Sequence, residues 1–143
     1  VDDFGNRALI LLYQFPIVYD AGDSKSGIEG MTVDTKENLL CLVNEKHPKV
    51  FYKYQSNGVL RNETYPNYSG DLSGVCYDEV LNLFWFVSDQ SERVYVTDKS
   101  GTIVFDYWDL SFENGEGIAI DNNHKPPLLY IATDPSGGSG GPD

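Results

Sequence analysis

Short apolar segments separated by turn residues run the length of the chain, and none sustains a 3.6-residue period, so the pattern predicts strands with little helix. The clearest segments come in pairs. "GMTVD" (30–34) is followed by "NLLCLVNE" (38–45), "GVCYD" (74–78) by "NLFWFVSD" (82–89), and "GIAID" (117–121) by "LLYIATD" (128–134). The second member of each pair is apolar on both faces, as expected of a strand covered on each side by a neighbouring layer. The first two pairs continue alike. "KVFYKY" (49–54) matches "RVYVTD" (93–98) as a third strand, the turns "QSNG" and "DKSG" follow, and "VLRNETY" (59–65) and "TIVFDYWDL" (102–110) read as a fourth. Gly58 and Gly101 supply the positive φ that these turns need.

The spacing turns these segments into a repeat. Gly30, Gly74 and Gly117 stand 44 and 43 residues apart. From the strand-ending aspartate to the next closing acid is 11 residues in two copies, Asp34 to Glu45 and Asp78 to Asp89; Asp121 to Asp134 is longer by two, absorbed in "HKPP". Four strands in a unit of about 40–45 residues is the period of a β-propeller blade. The expected fold is all-β: a partial β-propeller of about three four-stranded antiparallel blades, the last incomplete. Its repeats start near 28, 72 and 115 within residues 1–136, a leading strand lies at 8–14, and a Gly-rich tail occupies 137–143. Propellers close with about four to eight blades, so completion by another chain or by further sequence is expected. An open arc leaves strand edges ready to pair with another chain.

Composition narrows the partners. Of 143 residues, 41% are hydrophobic and 13% aromatic, enough for a packed core. Asp and Glu number 22 against 10 Lys and Arg, a formal net charge of −12, which excludes a nucleic-acid or anionic-membrane surface and permits cation binding. No apolar run approaches the 18 residues of a membrane span; "ALILLY" (8–13) is too short. The chain opens without Met or a basic leader, as expected of a processed chain or of part of a longer one. Two N-x-S/T sequons, at Asn62 and Asn67, lie in a polar loop and predict N-linked glycan and an extracellular or extracytoplasmic protein. Cys41 and Cys76 read either as buried free thiols or as a disulfide joining adjacent repeats.

The motifs also resemble a known family. "GIEGMTVDTKENLLCLVNE", "DLSGVCYDEVLNLFWFVSDQS" and "GEGIAIDNNHKPPLLYIATDPS", in that order, are similar to the SdiA-regulated (YjiK-like) β-propeller family over about 27–136, its later half. The resemblance implies a propeller, an extracytoplasmic setting and, in some members, a calcium ion held by acidic residues near the central channel. The family carries no firmly established activity. Its closing strand is replaced here by the Gly-rich tail.

In a propeller the first strand of each blade lines the channel, and the residues just before it crowd around the axis. Those residues are Glu29, Ser73 and Glu116. Glu29 and Glu116 are the first candidates for a Ca²⁺ site, followed by Asp89, Glu45, Asp71, Asn44 and Asp134, because an all-oxygen set suits a hard cation. The same short polar residues also serve as turn caps, and Asp34, Asp78 and Asp121 are expected to form Asx-type turns. Catalysis finds little support. "GGSGG" (137–141) lacks the strand–turn–helix setting of a nucleophile elbow, and His47 and His124 sit in Pro-containing turns. Trp85 and Trp108, with Tyr107 and Phe105, are candidates for a carbohydrate platform; against that, Trp85 lies inside an apolar strand and reads as core, while Trp108 in "FDYWDL" stays open between the two. The leading expectation is a secreted, glycosylated assembly protein that self-associates through open strand edges into an oligomer or filament, with Ca²⁺ support. A binding module within a longer calcium-binding propeller and a metal-dependent lactonase or esterase are the alternatives.

Overall fold

A computed structural model describes residues 14–17 and 27–134, which form ten strands and no helix. The first sheet is β1 (Ile28–Asp34), β2 (Leu39–Asn44), β3 (Val50–Gln55) and β4 (Leu60–Thr64); the second is β5 (Gly74–Asp78), β6 (Leu83–Ser88), β7 (Arg93–Thr97) and β8 (Val104–Asp109). In both sheets the strands lie side by side in chain order, paired antiparallel. Among the described residues the third sheet holds only β9 (Gly115–Asp121) and β10 (Leu128–Thr133). No sheet closes on itself among the described residues, and the architecture is that of a partial propeller. Of the predicted leading strand at 8–14 only Gln14 falls within the described residues, where it is not in a strand; the Gly-rich tail at 137–143 and its "GGSGG" lie outside them.

The repeat has a physical cause at each of its fixed positions. Asp34 Oδ1 accepts the N–H groups of Lys36 and Glu37, and Asp78 Oδ1 those of Val80 and Leu81. Each therefore ties off the turn that follows its own strand. Asn38 and Asn82 then take φ of 55° and 61° immediately before the second strand, a left-handed conformation that asparagine tolerates better than most residues. The glycines let the first strands approach closely. A Cβ on Gly30 would lie 2.9 Å from the Cα of Gly74, and one on Gly74 would lie 3.1 Å from the carbonyl oxygen of Glu116. Only glycine leaves room for backbone against backbone at the centre of the arc.

Between the first and second sheets lies the main core. Leu39, Cys41, Val43 and Phe51 of the first sheet pack against Val75, Tyr77, Phe84 and Phe86 of the second. Phe51 meets Phe84 and Phe86 edge-on, at centroid distances of 4.9 and 5.1 Å. The opposite face of the first sheet carries Leu42, Val50, Tyr52 and Tyr54, covered by Phe15 and Ile17. Cys41 and Cys76 are buried free thiols. Val75 and Tyr77 share the core with Cys41, so alternation along β5 turns Cys76 to the other face of its sheet, and no bridge joins the two. Burial pushes both thiols up to about 12, which keeps them protonated and unreactive at neutral pH.

Candidate axial rim

The seven residues proposed from sequence lie where each first strand begins and each second strand ends, and the structure divides them into two kinds. Asp71 and Asn44 are buried and take part in local hydrogen bonding. Asp71 Oδ1 accepts the Ser88 hydroxyl at 2.5 Å and the Gln90 N–H at 3.2 Å. Asn44 donates from Nδ2 to the carbonyls of Lys46 and Pro48, while its Oδ1 is buried with no hydrogen-bond partner among the described residues. Glu29, Glu116 and Asp134 are exposed, and Glu45 and Asp89 are half-buried. Glu45 holds Lys46 at 2.7 Å, so this end of the arc carries its own cation.

The middle copy differs for a reason visible in its contacts. Ser73 replaces the glutamate found at 29 and 116, and it is only 3% exposed. Its hydroxyl accepts the Asp89 N–H at 3.1 Å and lies 3.5 Å from Asp71 Oδ2. A glutamate could not occupy that space beside a buried Asp71 without setting two carboxylates together. Sequence reading identified the break in symmetry at this position; the buried Ser73–Asp71–Ser88 network behind it is a packing feature that periodicity does not encode.

Electrostatics link what hydrogen bonds do not. The Glu116 carboxyl is raised above its ordinary range, first by desolvation and then by Asp89, Glu29, Asp134 and Asp71. Four of the other candidates, Asp89, Glu29, Asp134 and Asp71, thus add negative charge around Glu116. Their all-oxygen chemistry suits a hard cation. Their placement is that of an electronegative rim and not a preformed cage: no three Asp, Glu, His or Cys side chains among the described residues gather closely enough to hold a metal ion.

The remaining candidates sit away from the rim. Asn62 on β4 and Asn67 in the loop after it are exposed. His47 is exposed, as is His124, whose Nδ1 lies 3.0 Å from Asp121 Oδ2. Trp85 is half-buried and stacks at 5.4 Å on Trp108, which is 47% exposed; Phe105 and Tyr107 are exposed beside it. No helix among the described residues is long and apolar enough to cross a membrane.

Comparison with known proteins agrees with the motif resemblance. The family model described as SdiA-regulated matches residues 7–136. No curated protein matches the chain.

Proposed function

The chain belongs to the SdiA-regulated family, and from that premise we propose that it is an assembly module working outside the cytoplasm, an arc of blades that associates head to tail with further copies. One observation carries the reading. Val75 and Tyr77 of β5 are buried against the first sheet, whereas their equivalents on β1, Met31 and Val33, are 72% and 50% exposed. Likewise Leu39 and Cys41 of β2 are buried against the second sheet, whereas their equivalents on β10, Leu128 and Tyr130, are 39% and 54% exposed. The two ends of the arc thus present the two halves of the interface that its interior already makes. Exposed apolar faces of this kind favour association. A contact between unlike ends is heterologous, so it closes into a ring or runs on as a filament.

Light scattering with sedimentation velocity tests this. Species larger than one chain, growing with concentration, are the expected result, and Met31→Glu and Tyr130→Glu are each expected to return the protein to a monomer. A monomer at all concentrations, or assembly indifferent to both substitutions, overturns the reading.

Secretion and N-glycosylation belong to the same proposal, supported by the exposure of Asn62 and Asn67. So does Ca²⁺ at the axial rim, supported by the like-charge crowding at Glu116. A carboxyl whose folded-state pKa is raised binds its proton more tightly folded than unfolded. Stability therefore falls as pH rises from the ordinary glutamate value through the folded one, and the penalty is fully present above that. Glu116→Gln removes it, so this variant is expected to melt slightly higher than the parent at pH 7 and low salt, with no difference at pH 4. Added Ca²⁺ is expected to raise the parent's melting temperature and to do so less in Glu116→Gln, since a ligand specific to the folded state must stabilise it. An equal Ca²⁺ effect in both proteins, or none in either, removes Glu116 from the site.

A further inference from the structure

Asparagine precedes glycine twice in the chain, at 57–58 and at 114–115, and the fold treats the two pairs differently. The pairing matters chemically because glycine puts no side chain beside its own nitrogen, so that nitrogen can reach the amide carbon of the asparagine side chain. Asn57 and Gly58 lie in the turn between β3 and β4, where Asn57 is exposed. Asn57 Oδ1 accepts the Val59 N–H at 3.1 Å, an Asx turn. That bond folds the side chain back across the 57–58 peptide, sets Cγ beside the Gly58 nitrogen and draws electron density from the amide carbon. The Gly58 N–H donates to the Gln55 carbonyl at 2.9 Å; at an exposed loop tip, water takes over that bond when the nitrogen turns toward Cγ.

Asn114 is held in another way. Its Nδ2 donates to the Asp134 carbonyl and its own carbonyl accepts the Asp134 N–H, both at 3.0 Å. Gly115 is buried, opens β9 and pairs with Thr133. A Cβ there would lie 3.0 Å from Val87 Cγ2, so the backbone has little room to turn. The amide nitrogen that would have to leave is bonded, and the glycine nitrogen belongs to a packed strand.

We infer that Asn57 is a site of spontaneous deamidation in the folded protein, giving aspartate and isoaspartate in the β3–β4 turn, and that the fold protects Asn114. Hydroxide takes the proton of the Gly58 nitrogen, which attacks Asn57 Cγ. The N–Cγ bond forms, the Cγ–Nδ2 bond breaks, and Nδ2 leaves as ammonia with a proton from water, which regenerates the hydroxide. The cyclic imide then takes up one water. Opening at the N–Cγ bond leaves aspartate; opening at the bond from that nitrogen to the main-chain carbonyl carbon leaves isoaspartate. Nothing is oxidised or reduced, and the turn gains one carboxylate. The isoaspartyl form also routes the main chain through the Asn57 side chain, adding a methylene just before Gly58. Gly58 has φ of 82° and seats Phe15, since a Cβ there would lie 2.6 Å from the Phe15 ring. Phe15 in turn covers Tyr54 at a centroid distance of 6.3 Å. The reaction therefore acts where residues 14–17 are seated on the first sheet, and it proceeds whether or not chains associate.

The test holds the full 143-residue chain at pH 8, folded or in guanidinium chloride, and follows tryptic peptides by mass spectrometry. In the folded protein the peptide 54–61, "YQSNGVLR", is expected to grow heavier with time by the difference between water and ammonia. It should appear in two chromatographic forms, one of which accepts a methyl group from an isoaspartate-specific methyltransferase. Asn114 is expected to react roughly tenfold or more slowly than Asn57 while folded, because its groups are not free to meet, and to draw level in guanidinium. Asn57→Gln is expected to abolish the change in 54–61. A folded chain in which Asn57 stays intact while the unfolded chain reacts, equal rates at the two asparagines when folded, or a product without isoaspartate overturns the inference.

Discussion

Phe84→Ala is expected to lower the unfolding free energy by about 3–5 kcal/mol, the range for deleting a fully buried phenylalanine and leaving a cavity. Phe84 is 0% exposed and sits at the centre of the only large apolar interface between the two four-stranded sheets among the described residues. Its ring meets Phe51 across that interface and Tyr77 within its own sheet, at 4.9 and 5.1 Å, and the ammonium of the buried Lys53 lies 4.9 Å from its centroid. No neighbour can move in to fill the space, because Phe51 and Phe86 are already fixed edge-on to one another. Domains of this size are stable by about 5–15 kcal/mol, so the loss is a large share of the total. Urea unfolding of Phe84→Ala beside Phe105→Ala makes the measurement. Phe105 is 59% exposed on β8, and its removal is expected to change stability by no more than about 0.5 kcal/mol. Similar midpoints for the two variants would mean that the sheets do not share this core.

The strands were legible because a propeller blade writes its period into the chain. Alternation, turn residues and the 43–44 residue spacing of Gly30, Gly74 and Gly117 placed all ten strands within a residue or two of their observed ends. The aspartates at 34, 78 and 121 were legible as turn formers, since an Asx turn is local and its donors lie two or three residues on. The contacts between sheets were not legible. Lys53 is in the middle of a strand and only 6% exposed, with its ammonium on the Lys99 carbonyl; a lysine in that text reads as solvent-facing until the next sheet's turn is in place. The second role of Asp34 depends on a residue 65 positions away. The candidate acids were legible as charges grouped around Glu116, which feels Asp89, Glu29, Asp134 and Asp71, but periodicity could not say that Asp71 would be buried and bonded to the Ser88 hydroxyl.

That long-range pair sets the second large effect. Lys99→Met keeps a side chain of similar length and removes the ammonium, which lies 4.6 and 5.4 Å from the ring centroids of Tyr77 and Phe84. Asp34, 0% exposed, would then keep its two backbone N–H donors and lose its only counter-ion among the described residues. Breaking a buried pair from one side costs about 3–5 kcal/mol, because the remaining charge is stranded. Burial holds the Lys99 ammonium below its ordinary range, so the pair forms against a desolvation penalty. The double variant Asp34→Asn with Lys99→Met is therefore expected to recover much of the loss, and the shortfall from additivity measures the coupling. The pH dependence follows with a definite sign. In Lys99→Met the stranded carboxylate favours its proton, so the folded-state pKa of Asp34 rises above the unfolded value near 3.9, and stability declines as pH climbs through that interval. The deficit relative to the parent should be largest at pH 7 and should shrink toward pH 4. Urea midpoints of the four proteins of the cycle at the two pH values decide it: a deficit independent of pH, or a double variant no better than Lys99→Met, would mean that Lys99 acts through packing and not through the charge on Asp34.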